Sequence, residues 1–162
     1  MRKKHVRQWM TALVGLAFVI AFISAPALAE EKYEEKFSKT EALAKNGKLY
    51  LGNVSGDIEV AVWKEAQVKI EAVKISKAGS LDKAKENAAK VTIEVTKDVD
   101  LVRVETKYPK QKGSFWGGDK ISVSVDYKIW VPDQAAVEIN AVSGDVTIAP
   151  LGGAAKDRKS VV

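Results

Sequence analysis

The amino-acid sequence predicts an all-β protein with one short helix, and two observations support this fold class. From Glu34 onward, apolar and polar residues mostly alternate with a period of two, the pattern of strands with one buried face. The peptide Val54–Val60 also returns as Val142–Ile148, and both copies carry a Ser-Gly-Asp turn followed by an apolar-polar-apolar segment. A recurring turn-and-strand unit is typical of chains that stack equivalent β elements.

The first strands are short and separated by turn residues. Glu34–Thr40 is predicted as a polar first strand, Lys48–Leu51 leads into the first Ser-Gly-Asp turn, and a third strand starts at Ile58.

The fourth strand changes parity after Ala72. Val68 and Ile70 have the same parity as Ala72, whereas Val73 and Ile75 have the opposite one. An extra residue in one strand shifts all later side chains to the other face. We therefore expect a bulge, or the edge of a twisted sheet, near Ala72.

Ser80–Lys90 is the one predicted helix. Ser80 is suited to cap its first turn, and Leu81, Ala84 and Ala88 lie on one face with charged residues elsewhere. The segment is short and weakly apolar, so we expect a crossover on the surface.

Strands resume after the helix and continue towards the second Ser-Gly-Asp turn. They are predicted at Val91–Val95, Val102–Val104 and Ile121–Val131, and a last one includes Val137. Pro132 closes the longest alternation, because proline cannot donate to a central ladder. We expect about nine strands in one domain, since no linker or change of composition divides this part of the chain.

Residues 1–29 are predicted to be an export signal. The run Met10–Ile23 is apolar but spans only 14 residues, and Ala27-Leu28-Ala29 offers small cleavage-site residues before Glu30. An uncleaved N-terminal anchor is the alternative. No Cys follows the run, which excludes lipid attachment of the usual bacterial kind. We expect an exported protein of the periplasm, cell surface or extracellular space. The basic residues before the run are Arg2, Lys3, Lys4 and Arg7.

Composition excludes several classes of function. The whole chain has a formal charge of +5, but four basic residues belong to the predicted signal, so the remainder carries only +1 and no nucleic-acid partner is expected. The chain has no Cys, and its single His is His5. This removes Ser-His and Cys-His nucleophile pairs and nearly all zinc, copper and haem sites. We predict no catalytic residue, no metal site and no cofactor.

The far end of the chain suggests a non-native tail at residues 157–162. Back-translation of Asp-Arg-Lys-Ser-Val-Val gives a string that resembles a common sequencing adapter read in frame to a stop. An ordinary polar tail is the alternative. We expect residues 30–156 to form a single β-rich domain that is truncated at its C-terminus.

The two Ser-Gly-Asp turns are predicted to shape the fold. Glycine permits positive φ, and aspartate hydrogen-bonds backbone amides ahead of the next strand. A calcium site would need more convergent oxygens than one carboxylate and one hydroxyl per turn. The predicted structural turn residues are Ser55, Gly56, Asp57, Ser143, Gly144 and Asp145.

The loop Lys110–Asp119 is the best candidate for ligand binding. Phe115 and Trp116 are adjacent large aromatic residues, followed by Gly117 and Gly118 and preceded by several lysines. Such a loop could stack on a sugar ring, enter a lipid interface or dock a protein. The alternative is that both rings fold back as a cap over the open end of the sheet.

Other aromatic and acidic residues have simpler interpretations. Trp63 and Trp130 have the parity opposite to the clear apolar faces, and we expect them to pack across strands against long lysine stems. A pair of carboxylates could in principle hydrolyse glycosides, but the sequence gives no evidence of pairing. The candidate carboxylates are Asp57, Asp98, Asp100, Asp119, Asp126 and Asp145.

Three segments together carry a resemblance to the putative-adhesin domain family of exported bacterial envelope proteins. They are Gly47–Val60, Val123–Pro132 and the repeat Val142–Ile148. The resemblance covers roughly residues 33 to 155 and only the N-terminal part of the family pattern, whose members usually continue with further Gly-Asp repeats. It implies a β-solenoid or β-helix-like stacked sheet and attaches no catalytic residues.

A β-sandwich remains the alternative fold, since the two repeats lie 88 residues apart, far more than one solenoid turn. From the resemblance we expect a non-enzymatic binding or adhesion module whose partner is an envelope or surface ligand, whether protein, polysaccharide or lipid. A structural module that self-associates through an uncapped edge is the alternative, followed by a polysaccharide-active enzyme.

Overall fold

The computed structural model describes residues 30–109 and 121–159, which form ten strands and one helix. The predicted signal, residues 1–29, and the last residues, 160–162, lie outside the described part. The elements are β1 Glu31–Ala42, β2 Lys48–Ser55, β3 Ile58–Trp63, β4 Gln67–Ala78, α1 Leu81–Ala89, β5 Thr92–Lys97, β6 Leu101–Lys107, β7 Ser122–Pro132, β8 Ala136–Ser143, β9 Val146–Ile148 and β10 Ala155–Lys159.

The strands form two mixed five-stranded sheets. The first sheet has the order β1-β4-β7-β3-β9 and the second has the order β10-β8-β2-β6-β5. Parallel pairs join β3 to β7 and β9, and β2 to β6 and β8, while β10 lies parallel to β8. The other pairs, β1 with β4, β4 with β7 and β5 with β6, are antiparallel. Each Ser-Gly-Asp segment carries the chain from the second sheet to the first.

Alternation along the strands builds one core between the two sheets. Leu49 and Leu51 of β2 and Val60 of β3 are fully buried, while the residues between them face outward. The same inward parity in β7 and β8 supplies Ile129 and Ile139. All these side chains belong to a single hydrophobic cluster that draws on both sheets, as two packed layers require.

The bulge expected near Ala72 is wrong. Strand β4 stays in register with both neighbours throughout, and Ala72 pairs with Phe37 on one side and Tyr127 on the other. Lys74 and Ser76 keep the inward parity of Ala72 and are buried. The sequence pattern misled because it assumes that inward positions are apolar, whereas here they lie on the part of the sheet that the helix contacts.

Helix α1 lies within the predicted segment Ser80–Lys90, but Leu81 of the predicted apolar face is exposed. Ser80 caps it, with its hydroxyl oxygen accepting a hydrogen bond from the backbone N–H of Lys83, and Ala84 and Ala88 are buried. The helix contacts β1 and β4. The amino group of Lys74 donates to the carbonyl oxygen of Ala88 at the end of the helix, at 3.3 Å.

The prediction of a mostly β protein with one short helix is confirmed. The two sheets are open rather than closed, which is compatible with the β-sandwich alternative, and a solenoid is not shown. Of the suspected tail, residues 157–159 belong to β10. Across residues 30–109 and 121–159, the single helix is far too short and polar to cross a bilayer.

Candidate functional site

Both Ser-Gly-Asp segments form sharp corners between the sheets. Gly56 has φ of +118° and Gly144 has φ of +115°, the left-handed region that side chains other than glycine rarely adopt. No other described residue has a positive φ. The two corners lie one above the other, because β2 is parallel to β8 and β3 is parallel to β9.

Hydrogen bonds from backbone N–H groups to carbonyl and carboxylate oxygens join these two corners to each other and to strand β7. We call the resulting three layers the corner stack; they are Val125–Tyr127, Ser55–Ile58 and Ser143–Val146. The carboxylate of Asp126 accepts the N–H of Asp57 at 3.0 Å, and the carboxylate of Asp57 accepts the N–H of Asp145 at 2.9 Å. Each aspartate therefore holds the layer above it.

The glycines allow the layers to approach this closely. A Cβ atom on Gly56 would lie 2.2 Å from the carbonyl oxygen of Val125, and one on Gly144 would lie 2.1 Å from the carbonyl oxygen of Gly56. Both distances are far inside van der Waals contact. Glycine is thus required by close packing as well as by φ.

Asn53 ties the first corner to β7 from the inside. Its side chain is only 4% exposed, and its amide nitrogen donates to the carbonyl oxygens of Val125 at 2.8 Å and Ser55 at 3.1 Å. Sequence reasoning missed this residue. The signal was its parity, because Asn53 follows Leu49 and Leu51 at a spacing of two and so points inward.

An acidic groove of about 660 Å³ runs across the first sheet beside the corner stack. Lys128 bridges it with an ion pair to Glu59 at 3.2 Å, and Glu71 and the three stacked aspartates also line it. Within the described residues, no three acidic side chains are placed to hold a metal ion. The carboxylates of Asp57 and Asp126 instead accept hydrogen bonds from backbone N–H groups of the corner stack.

The other candidate carboxylates do not join this groove. Asp98 and Asp100 lie in the turn between β5 and β6, where the N–H of Lys48 donates to the carbonyl oxygen of Asp100. Because β2 starts at Lys48 and ends at Ser55, this turn is at the end opposite the corners. Asp119 lies outside the described residues.

The candidate binding loop starts and ends at the corner end of the molecule. Strand β6 is parallel to β2, so both reach that end before the chain passes to the first sheet. Next to the loop, Tyr108, Pro109 and Ile121 contribute to a second groove of about 480 Å³. Phe115, Trp116, Gly117 and Gly118 themselves lie outside the described residues.

Two tyrosine hydroxyls form hydrogen bonds inside the protein near the end at which the corners lie. The hydroxyl of Tyr108 donates to the carbonyl oxygen of Val123 at 3.2 Å, and that of Tyr127 lies 2.7 Å from the hydroxyl of Thr106. Burial raises the pKa of both tyrosines to about 12. These hydroxyls therefore stay protonated at physiological pH and act as structural groups.

Among the described residues, Tyr50, Trp63 and Trp130 are half-buried and do not form a continuous platform. Trp130 lies on the outer face of the first sheet, with the amino group of Lys69 4.7 Å from its ring centre. Tyr50 belongs to the second sheet, and the guanidinium carbon of Arg103 lies 4.2 Å from the centre of its ring. The indole N–H of Trp63 donates to the backbone of Gln67. The lysine packing expected for Trp130 is therefore present.

Comparisons with known proteins find a limited set of solved structures. No protein-family model matches the chain, and no curated protein does. A putative adhesin from Bacteroides fragilis is 13% identical with a TM-score of 0.40, and the alignment covers 77% of this chain and 53% of that one. A putative cell adhesion protein from Clostridium sporogenes is 12% identical with a TM-score of 0.39, covering 69% and 50%.

A putative lipid binding protein from Parabacteroides distasonis is 6% identical with a TM-score of 0.36, covering 72% of this chain and 44% of that one. The chain thus spans about half the length of the solved proteins that it matches. Two of these names agree with the family that the sequence resembles. At these TM-scores, the likeness supports no inference about what this protein binds.

Proposed function

We propose that this protein is an exported, non-enzymatic binding module of the bacterial cell envelope. The observation that carries the proposal is the placement of Pro109 and Ile121, the described residues that flank the aromatic loop. Its two ends, at Pro109 and Ile121, leave the same end of the sandwich at which both Ser-Gly-Asp corners are stacked. A hydrogen-bonded frame is a suitable base for a binding loop, since loops that bind are usually positioned by rigid scaffolds.

The use of the acidic side chains supports a binding role over an enzymatic one. A glycosidase needs one carboxyl group as acid and a second as base or nucleophile. At the corner end, the carboxylates of Asp57 and Asp126 accept backbone N–H groups at 2.9 and 3.0 Å, and so they contribute to the fold. Asp145 is the third aspartate of the corner stack, whereas Asp98 and Asp100 are at the opposite end.

Substitution of the loop aromatics tests the proposal. We expect Phe115→Ala with Trp116→Ala to weaken binding at least about tenfold, because buried aromatic anchors dominate most interfaces. The probes are purified peptidoglycan sacculi and vesicles of phosphatidylglycerol and phosphatidylcholine, assayed by co-sedimentation. Leu81→Ala with Val99→Ala is the matched control, since it also removes two exposed apolar side chains, which are 41% and 83% exposed.

The control should bind as the unaltered protein does. Equal binding by both double variants would contradict an anchor in the loop. Failure of the unaltered protein to bind either probe would contradict envelope or lipid binding as stated here. Thermal melts of both variants separate loss of the anchor from loss of the fold.

A second candidate function is structural assembly, which the parallel half of the fold favours. We propose that the corner stack is the beginning of a solenoid-like stack within a domain that starts near residue 30 and continues beyond the described part. Its support is the return from β8 to β10, which places Ala155 beside Val137 after 18 residues. The 88 residues between the two corners contain the extra strands and the helix, which form the other half of the sandwich.

A further inference from the structure

The turn that joins β1 to β2 contains an asparagine followed by a glycine, Asn46-Gly47. This is the only such pair among the four asparagines of the chain, since Asn53 precedes Val, and Asn87 and Asn140 precede Ala. Glycine has no side chain to shield its backbone nitrogen, so the side-chain carbon of a preceding asparagine can approach that nitrogen closely. Asn46 is therefore the asparagine that reacts most readily with the backbone of the next residue.

The reaction is loss of the side-chain amide, and water is its only co-reactant. The nitrogen of Gly47 loses its proton and bonds to Cγ of Asn46, while the bond between Cγ and Nδ2 breaks and ammonia leaves with that proton. Water then adds to one of the two carbonyl carbons of the resulting cyclic imide. Cleavage of the bond to Cγ gives aspartate, and cleavage of the bond to the main-chain carbonyl gives isoaspartate, which has an additional carbon in the main chain.

The folded chain holds this pair in a closed turn. The N–H of Gly47 donates to the carbonyl oxygen of Ala44 at 2.9 Å, which makes Ala44–Gly47 a hydrogen-bonded β-turn. Its central residues, Lys45 and Asn46, both have negative φ, so the turn is of type I. The second central residue of such a turn has ψ of about 0°, which rotates the next backbone nitrogen away from Cβ. The two atoms that must bond are therefore directed apart.

Packing around Gly47 stabilises the closed turn. Asn46 is exposed, whereas Gly47 is buried. A Cβ atom on Gly47 would lie 2.5 Å from Cδ1 of Leu43, whose side chain is only 2% exposed. Close packing thus requires glycine here, and the reactive sequence is retained for a structural reason. Attack on Asn46 requires the N–H of Gly47 to separate from Ala44 first.

The same turn attaches the start of β2 to its neighbours. The carbonyl oxygen of Gly47 accepts the N–H of Ala136 at 2.9 Å, which links it to β8. The N–H of Lys48 donates to the carbonyl oxygen of Asp100 at 2.7 Å, just before β6. An additional main-chain carbon before Gly47 displaces both groups, because paired strands accommodate an insertion only by a local distortion.

We propose that Asn46 is a modification site, at which the side chain loses ammonia when the turn Ala44–Gly47 opens and leaves aspartate or isoaspartate. The fold sets the rate of this change, because the imide forms only in the open turn. Isoaspartate then prevents the turn from closing as before. The conversion therefore records opening at this end of β2 and weakens the attachment of β2 to β6 and β8.

The test compares conversion in the folded protein with conversion in the same protein unfolded in guanidinium chloride at the same pH. Cleavage after glutamate releases residues 42–59, which contain Asn46 and Asn53, and mass spectrometry locates the replacement of NH2 by OH. We expect Asn46 to convert at least about tenfold faster in the unfolded chain. Asn53, Asn87 and Asn140 should remain unchanged over the same period. Equal rates in the two states, or faster conversion at another asparagine, would overturn the proposal.

Substitutions of Lys45 test whether opening of the turn limits the rate. Lys45→Pro fixes φ at a value that suits the first central position of a type I turn, and it should slow conversion in the folded protein. Lys45→Gly makes the turn more flexible and should accelerate conversion. Both variants should convert at the rate of the unaltered protein once unfolded. The opposite order of rates in the folded state would contradict control by the turn.

Hydrogen exchange measures the consequence for the fold. The amides of Lys48 and Ala136 should exchange faster in converted protein, in proportion to the isoaspartate that enzymatic methyl transfer detects. Asn46→Asp is the matched control, since it carries the same added charge on an ordinary main chain and should leave both amides nearly unchanged. Equal exchange in the isoaspartate form and in Asn46→Asp would refute the displacement of β2.

Discussion

At the scale of single residues, Gly56 shows how one position can be constrained twice. Its φ of +118° excludes most side chains, and a Cβ would meet the carbonyl of Val125 at 2.2 Å. Gly79 provides the contrast, because a Cβ there would meet nothing within 4 Å and its φ is not positive. Two glycines of the same chain thus have different tolerances.

We expect Gly56→Ala to lower the free energy of unfolding by about 3 kcal/mol or more, since backbone strain and a steric clash add. Gly79→Ala should change it by less than about 1 kcal/mol and can even stabilise the fold by restricting the unfolded chain. Urea denaturation of both variants measures the difference. Equal effects would show that the corner adjusts to a methyl group.

Tyr127 gives a pH-dependent prediction. Its side chain is 3% exposed, and burial raises its pKa from 10 to about 12, although the hydrogen bond with Thr106 lowers the pKa in part. A raised folded-state pKa means that this contribution to stability is complete below pH 10 and is lost as the pH rises towards 12. Two pKa units correspond to roughly 3 kcal/mol.

The variant Tyr127→Phe isolates this effect from lysine titration, which occurs in the same pH range in both proteins. At pH 8 it should be less stable by about 1 kcal/mol, because the hydroxyl of Thr106 loses its partner. At pH 11 the difference should shrink or change sign. Urea midpoints at the two pH values measure this, and a constant difference would mean that the hydroxyl ionises freely in the folded state.

At the scale of elements, Lys74 connects strand, helix and edge strand. Its buried amino group donates to the carbonyls of Ala88 at 3.3 Å and Val91 at 3.2 Å, and it forms an ion pair with Glu35 of β1 at 2.7 Å. The carbonyls near a helix C-terminus carry partial negative charge and lack helical donors. One lysine therefore supplies that end of α1 with a cation.

We expect Lys74→Met, which retains the apolar stem, to destabilise the protein by about 1–3 kcal/mol, because the carbonyls of Ala88 and Val91 lose this donor and Glu35 loses its cation. Relative to the unaltered protein, the substitution should accelerate hydrogen exchange more at the amides of α1 than at those of β3, because the helix loses its attachment to the sheet. Lys77→Met, at an exposed position of the same strand, is the control. Uniform acceleration across the molecule would argue against a local role.

At the scale of the whole molecule, the two edge strands of the first sheet, β1 and β9, differ within the described part of the chain. Strand β1 is long and carries many charged side chains, as natural edge strands commonly do. At the other side β9 is short, with Thr147 as its outward side chain and apolar residues on both sides of it. Association through sheet edges is therefore expected at β9.

We expect the chain lacking its predicted signal to self-associate with rising concentration, and Thr147→Lys to suppress this by placing a charge on the edge. Thr40→Lys, an exposed position on β1, should leave association unchanged. Sedimentation velocity over a range of concentrations measures both variants. A chain that stays monomeric throughout would contradict an associating edge.

Local chemistry determined much of this protein from sequence alone. Period-two alternation identified most of the strands and the core face, because side chains of a strand point alternately to its two faces. Ser80 marked the helix start, and the repeated Ser-Gly-Asp peptide marked two tight corners, since only glycine adopts that backbone freely. These signals depend on neighbours a few residues apart.

Only the tertiary structure decided how the layers stack. Asp126 becomes a corner acceptor, Asn53 a buried tie and Lys74 a helix anchor because residues 69, 72 and 14 positions away supply their partners. The choice of two open sheets likewise depends on which strands pair, and β2 lies beside β8 across 88 residues of sequence. Long-range hydrogen-bond partners leave no periodic trace in a sequence, so the fold alone assigns these residues their roles.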